Sequence, residues 1–119
     1  MQEIWEGILV SNVDLEVTAL KNIHPSIDEN YALKFKPGKK IIVFSGDTTY
    51  CPALASFAAG ADYLIHEVIY GPAIVEMVKR VPNASKLKAS ILSHHTLSED
   101  VVRIAKAAII IQTKANKQQ

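Results

Sequence analysis

The run Ile41-Ile-Val-Phe-Ser-Gly-Asp47-Thr-Thr49 constrains this chain more than any other stretch. Four apolar residues in a row have the length of a strand, a glycine ends them, and a carboxylate and two hydroxyls follow where the strand leaves its sheet. A side chain at such an exit is held still by a buried strand. Ser45-Gly46-Asp47-Thr48 can be purely structural, with Asp47 or Thr48 bonding loose backbone N–H groups as Asx and ST turns do. It can equally present Asp47 to a cleft.

The rest of the chain reads as alternating elements. From Ile8 to Leu20 the apolar residues recur largely with period two, which predicts strands with one buried face. Tyr31–Phe35 and Ile41–Phe44 flank Lys36-Pro-Gly-Lys-Lys40, whose Pro-Gly pair signals the turn of a hairpin. Pro52 suits the first turn of a helix over residues 53–59, with Gly60 as its left-handed stop. Tyr63–His66 predicts a strand, and residues 72–80 a helix closed by Lys79-Arg80. Val81–Lys88 reads as a polar connection. Thr96-Leu-Ser-Glu99 has the form of a capping box before a helix whose face is marked by Val101, Val102, Ile104, Ala105 and Ala108. Ile109–Ile111 is then expected to be a last strand, giving one domain over residues 1–113 and a disordered tail over 114–119. The fold class is α/β, a mixed β-sheet with helices on one face.

Four elements in order carry a family resemblance: His24, then Gly46-Asp47-Thr48, then Leu64-Ile65-His66-Glu67-Val68, then His95-Thr96 before a helix. Together they resemble the C-terminal half of a metallo-β-lactamase-fold hydrolase, of the branch that holds the tRNA 3′-processing endonuclease (tRNase Z) and arylsulfatase-like enzymes. The match runs roughly from Val17 to Ala107 and rests on the combination of motifs. It implies half of an αββα sandwich. It also implies that Asp47 and His24 are metal ligands for zinc, and that His66, Glu67 and His95 are the catalytic acid–base residues, a carboxylate orienting an imidazole that protonates the leaving group.

Each of these residues also has a plain structural reading. His24, in Asn22-Ile-His-Pro25, can be a loop histidine at a strand end. His66, Glu67 and His95 can form a hydrogen-bonded polar cluster at a sheet edge that serves packing. His94 has no role in the resemblance and is expected to be exposed or to enter a helix. The chain departs from the family pattern at both ends of the metal site: no histidine occurs before His24, so the HxHxDH motif is absent, and no histidine follows Thr96. One histidine and one carboxylate are too few for a tight zinc site, which takes three or four protein ligands. Zinc is therefore expected to bind weakly or not at all to this chain alone.

Composition narrows the function classes. With 49% hydrophobic and 21% charged residues the chain is globular. Its formal net charge of +1 supplies no field to gather a polyanion, so nucleic-acid binding has no support from charge. The one cysteine, Cys51, cannot form an internal disulfide. It sits where a helix start could activate a thiol, or it is a small apolar filler. No apolar run approaches the ~20 residues of a membrane span, and no signal-peptide pattern opens the chain, so the expected location is the cytoplasm. No GxGxxG or GxxxxGK[ST] supports a Rossmann-like or flavodoxin-like alternative.

The resulting expectation is a truncated metallo-β-lactamase-type domain, self-associating as a homodimer through a sheet face and not catalytically competent alone. The alternative is a zinc-dependent hydrolase of phosphodiester or ester bonds, completed by another chain such as an N-terminal-half partner.

Overall fold

The computed structural model describes residues 4–117. Strands β1 (Gly7–Ser11), β2 (Leu15–Lys21), β3 (Tyr31–Pro37) and β4 (Ile42–Phe44) form an antiparallel meander, and β5 (Tyr63–Ile65) adds to β4 in parallel. The order across the sheet is β1-β2-β3-β4-β5. Asn12 makes the first hairpin by accepting the N–H groups of Asp14 and Leu15 on its side-chain oxygen. The step from antiparallel to parallel comes between β4 and β5 because helix α1 (Ala53–Ala58) carries the chain back across one face. The other helices are α2 (Gly71–Lys79), α3 (Ser85–His94) and α4 (Ser98–Lys117).

Strand register decides what each face holds. Leu20 lies opposite Ala32, and Val43 opposite both Lys34 and Leu64. On this face Ala32 and Val43 pack beneath Leu54 and Ala58 of α1 and Ile104 and Ala108 of α4. Further along it Glu16 pairs with Lys36 at 3.6 Å, while the half-buried Lys34 lies against α1 with its ammonium 4.4 Å from the Phe57 ring. Residues one place along each strand point the other way and meet no helix layer. The result is a plate, with extents of 54 × 41 × 17 Å.

The mixed sheet with helices on one face is thus present, and three local expectations are corrected. Ile109–Ile111 is not a strand: it lies within α4, which runs to Lys117. Neither glycine nor proline occurs after Pro82 to stop a helix, Ile104 and Ala108 keep a helical four-residue spacing in the core, and the Gln112 side chain seats beside Gly60. Helical spacing outweighs the strand preference of three β-branched residues. For the same reason residues 114–117 are helical rather than a disordered tail; Gln118 and Gln119 lie outside the described residues. The polar connection at Val81–Lys88 is shorter than expected, since α3 begins at Ser85, after a turn in which Asn83 takes φ 57°.

Cys51 is 2% exposed in the cluster with Ala32, Leu54 and Ile104. Burial pushes its thiol pKa up, outweighing the hydrogen bonds from the Leu54 and Ala53 backbone, so the filler reading holds over the activated one. Ellman's reagent is expected to modify the native chain at least about a hundredfold more slowly than the chain in guanidinium, the protection given by an opening cost of about 3 kcal/mol. The raised pKa also sets a pH trend. Above the ordinary thiol value of 9.0 the unfolded chain releases this proton while the folded chain keeps it, so stability falls as pH rises through that window.

Candidate functional site

The site is built where β4 and β5 end. Leaving β4, the Ser45 hydroxyl donates to the Gly46 carbonyl at 2.7 Å and accepts the Glu67 N–H at 2.9 Å, which locks the two strand exits together. Gly46 takes φ 65°, and a Cβ there would lie 2.6 Å from the Tyr31 carbonyl oxygen. That left-handed turn delivers Thr48, fully buried, whose hydroxyl accepts the Ile23 N–H at 3.1 Å and donates to the Thr49 carbonyl at 2.8 Å. The loop that carries His24 is thereby tied to the turn.

Glu67 is the hub. Its Oε1 accepts the backbone N–H of Thr48 at 3.0 Å and of Thr96 at 3.2 Å, while Oε2 lies 3.2 Å from His95 Nδ1. The Thr96 segment reaches it because Ile69 N–H donates to the Thr96 carbonyl at 2.8 Å and Ile69 bridges to Leu97 in parallel. Thr96 itself donates its hydroxyl to the Thr48 carbonyl. The capping box is accordingly not made: the Thr96 side chain is turned to the site, and α4 starts at Ser98, with Val101 N–H bonded to the Leu97 carbonyl.

A carboxylate can only accept, so His95 Nδ1 carries its proton toward Glu67 and Nε2 is left as the working nitrogen. The His95 side chain is 38% exposed and the Glu67 side chain 16%, so the imidazole faces solvent over a carboxylate that is mostly covered. The pair can take up a proton at Nε2 and hold the imidazolium, or give it back. This is the geometry of an oriented general acid.

The remaining expected residues do not join this cluster. His66 directs Nδ1 to the Glu67 carbonyl at 2.6 Å, and its buried Nε2 has no partner among the described residues. It acts on the backbone beside Glu67 and not on His95. The Asp47 carboxylate is exposed and makes no hydrogen bond or ion pair among the described residues. His24 packs against His94 with the rings tilted by 44° and their centroids 4.6 Å apart, and Ser26 Oγ sits 3.4 Å from His24 Nδ1 and 3.1 Å from His94 Nε2. His94, expected to be a spare, closes α3 with Nδ1 anchored on the Ser90 carbonyl at 2.6 Å.

No group of three His, Cys, Asp or Glu side chains able to hold a metal ion occurs among the described residues. Two donors, one of them engaged with Ser26 and His94, do not fit a closed zinc site. The sequence offered Thr48 as a residue that bonds backbone N–H groups, as it does with Ile23; the roles of Ser45 and Thr96 in the frame of the site were missed. Their signal was the position of hydroxyl residues at each strand exit and helix entry, where buried backbone groups need partners.

Comparisons with known proteins bear on this geometry. No family model matches the chain. Ribonuclease BN of Enterobacter sp. (strain 638) is 37% identical over 65 residues, 55% of this chain and 21% of that protein. Ribonuclease Z of Lacticaseibacillus casei (strain BL23) is 36% identical over 58 residues, 49% and 18% of the two chains. The chain spans about a fifth of the length of these curated relatives. A crystal structure of the metallo-beta-lactamase fold protein YhfI from Bacillus subtilis superposes with a TM-score of 0.58 at 25% identity, covering 83% of this chain and 35% of that one.

Proposed function

We propose, from the premise that this chain carries part of the metallo-β-lactamase fold, that it provides the acid–base portion of a hydrolase-type site and does not turn over substrate by itself. The observation that carries this reading is the Glu67 carboxylate, which engages Nδ1 of the partly exposed His95 and leaves Nε2 without a hydrogen bond among the described residues. In that position His95 protonates the oxygen of a leaving group and Glu67 stabilises the imidazolium before transfer. The names of the ribonuclease relatives favour a phosphodiester over an ester as the bond cleaved. A net charge of +1 leaves the capture of such a polyanion to groups outside these residues.

His24 and Asp47 are the contribution of this chain to a zinc site in the alternative reading, where another chain supplies the remaining ligands. Alone, the chain is a self-associating unit without turnover.

The test is an assay on bis(4-nitrophenyl) phosphate with zinc present. The expected results are background rates for the chain alone, and hydrolysis once the HxHxDH-bearing portion of a ribonuclease Z is added. In that mixture His95→Ala lowers the rate about 10²–10⁴-fold, the usual contribution of a positioned general acid. Turnover by the isolated chain that survives His95→Ala overturns the proposal. Calorimetry of the isolated chain is expected to give zinc binding weaker than micromolar; stoichiometric tight binding abolished by Asp47→Asn contradicts it.

A further inference from the structure

We infer that His24 and His94 form a two-imidazole site for a late first-row divalent cation, copper(II) first among them, at the C-terminal end of α3 and apart from the Glu67–His95 pair. Neither the acid–base reading nor a pairing of His24 with Asp47 uses His94.

The two imidazoles converge on one hydroxyl. Ser26 Oγ lies 3.1 Å from His94 Nε2 and 3.4 Å from His24 Nδ1. His94 Nδ1 faces the Ser90 carbonyl at 2.6 Å, an acceptor, and so carries the ring proton. The Ser93 oxygen, 3.2 Å from Nδ1, agrees, since its own proton goes to the same carbonyl at 2.7 Å. Nε2 of His94 is then the lone-pair nitrogen, and it is the one turned to Ser26. A backbone carbonyl on the far nitrogen is the usual support of a metal-ligating histidine, fixing its tautomer and ring angle. When His24 holds its proton on Nε2, its Nδ1 brings a second lone pair to the same place. A hydroxyl has one proton and satisfies one of the two; a cation in its position satisfies both.

The backbone holds both histidines for this. Thr49 joins the segments that carry them, its N–H donating to the Ile23 carbonyl at 2.9 Å and its hydroxyl to the Leu92 carbonyl at 3.3 Å. Ile27 N–H closes the turn after His24 on the His24 carbonyl at 2.9 Å. His94 is the last residue of the ten-residue α3, where unpaired carbonyls favour positive charge. Ser26 is exposed and both histidines are partly buried, which leaves an ion an approach from solvent. Two imidazoles leave the remaining positions to water. That suits tetragonal copper(II), which heads the affinity order for such donors, better than tetrahedral zinc, whose closed sites take three or four protein ligands. An ion there pins the His24 loop to α3 and withholds His24 from Asp47.

Titration of the full chain with copper(II) chloride, followed by calorimetry and electron paramagnetic resonance, tests this. The tightest-bound ion on the unaltered chain is expected to show two imidazole nitrogens in its spectrum. It is also expected to raise the unfolding temperature, because it bridges segments that are far apart in the unfolded chain. His24→Ala and His94→Ala are each expected to weaken its uptake at least about tenfold and to cancel that rise, with the circular dichroism kept. Ser26→Ala, which removes only the competing hydroxyl, and Asp47→Asn are expected to keep the site. No uptake, or copper held by fewer than two imidazoles on the unaltered chain, overturns the site without recourse to a variant. An affinity unchanged in either histidine variant places the ion elsewhere and overturns it too. Loss of copper in Asp47→Asn returns His24 to a pairing with Asp47, which overturns this site and leaves the His95 reading untouched.

Discussion

Glu67→Ala is expected to lower the unfolding free energy by about 3–5 kcal/mol, one of the two largest effects in the chain. Two backbone N–H groups, those of Thr48 and Thr96, lose their acceptor together, in residues that are both fully buried. Each buried donor left without a partner costs about 1–3 kcal/mol, and the charge-assisted bonds themselves are among the stronger kind. Glu67→Gln keeps one carbonyl oxygen for these donors, so its cost is expected to be less than half as large. His95→Ala removes a partly exposed ring whose partner Glu67 keeps two other donors, and it is expected to cost about 1 kcal/mol or less. Urea denaturation of the three variants separates them. A Glu67→Ala cost below that of His95→Ala defeats the idea that the carboxylate ties the backbone before it serves the imidazole.

Gly46→Ala is expected to be as damaging, by a different route. The backbone at φ 65° is one that side chains resist, at about 1–3 kcal/mol. A Cβ there also falls 2.6 Å from the Tyr31 carbonyl oxygen and 2.9 Å from Asn22 Nδ2. Neither neighbour is free to yield: Tyr31 is in β3, and Asn22 donates that same nitrogen to the Ser45 carbonyl at 2.9 Å. Combined strain and overpacking bring the expected loss to at least about 3 kcal/mol, and thermal unfolding is the direct measure. Gly38→Ala is the control, because its φ is 66° but no atom lies within 4 Å of the added Cβ. Its smaller loss isolates the backbone part.

The parts of this architecture that could be read from sequence are those fixed by local chemistry. Period-two apolar residues and a Pro-Gly turn gave the meander its strands, and Gly46 with Asp47 marked the exit of β4. The pairing of Glu67 with His95 followed from a motif resemblance and is seen as a direct contact at 3.2 Å. Ile109–Ile111 misled because strand preference is a local property, whereas those residues are helical owing to Ala108 and Gln112, which face α1 and Gly60. Thr96 misled for a related reason. A hydroxyl three residues before a glutamate fits a capping box, yet a buried carbonyl 48 residues away, at Thr48, takes it instead. No short window of sequence contains that competitor.

The meander has a consequence for how the chain reaches its native state. Strands β1 to β4 are sequential neighbours, joined by tight turns except for the loop over residues 22–30, so their contacts close short loops and can form early at little entropic cost. The knot of bonds around Glu67 instead joins segments near residues 48, 67 and 96, and cannot form until β5 and the entry to α4 have docked. Its interactions therefore belong to the late side of the folding barrier. Weakening them is expected to leave the rate of folding nearly unchanged and to shorten the lifetime of the folded chain, which makes Glu67 a latch on unfolding more than a nucleus for folding.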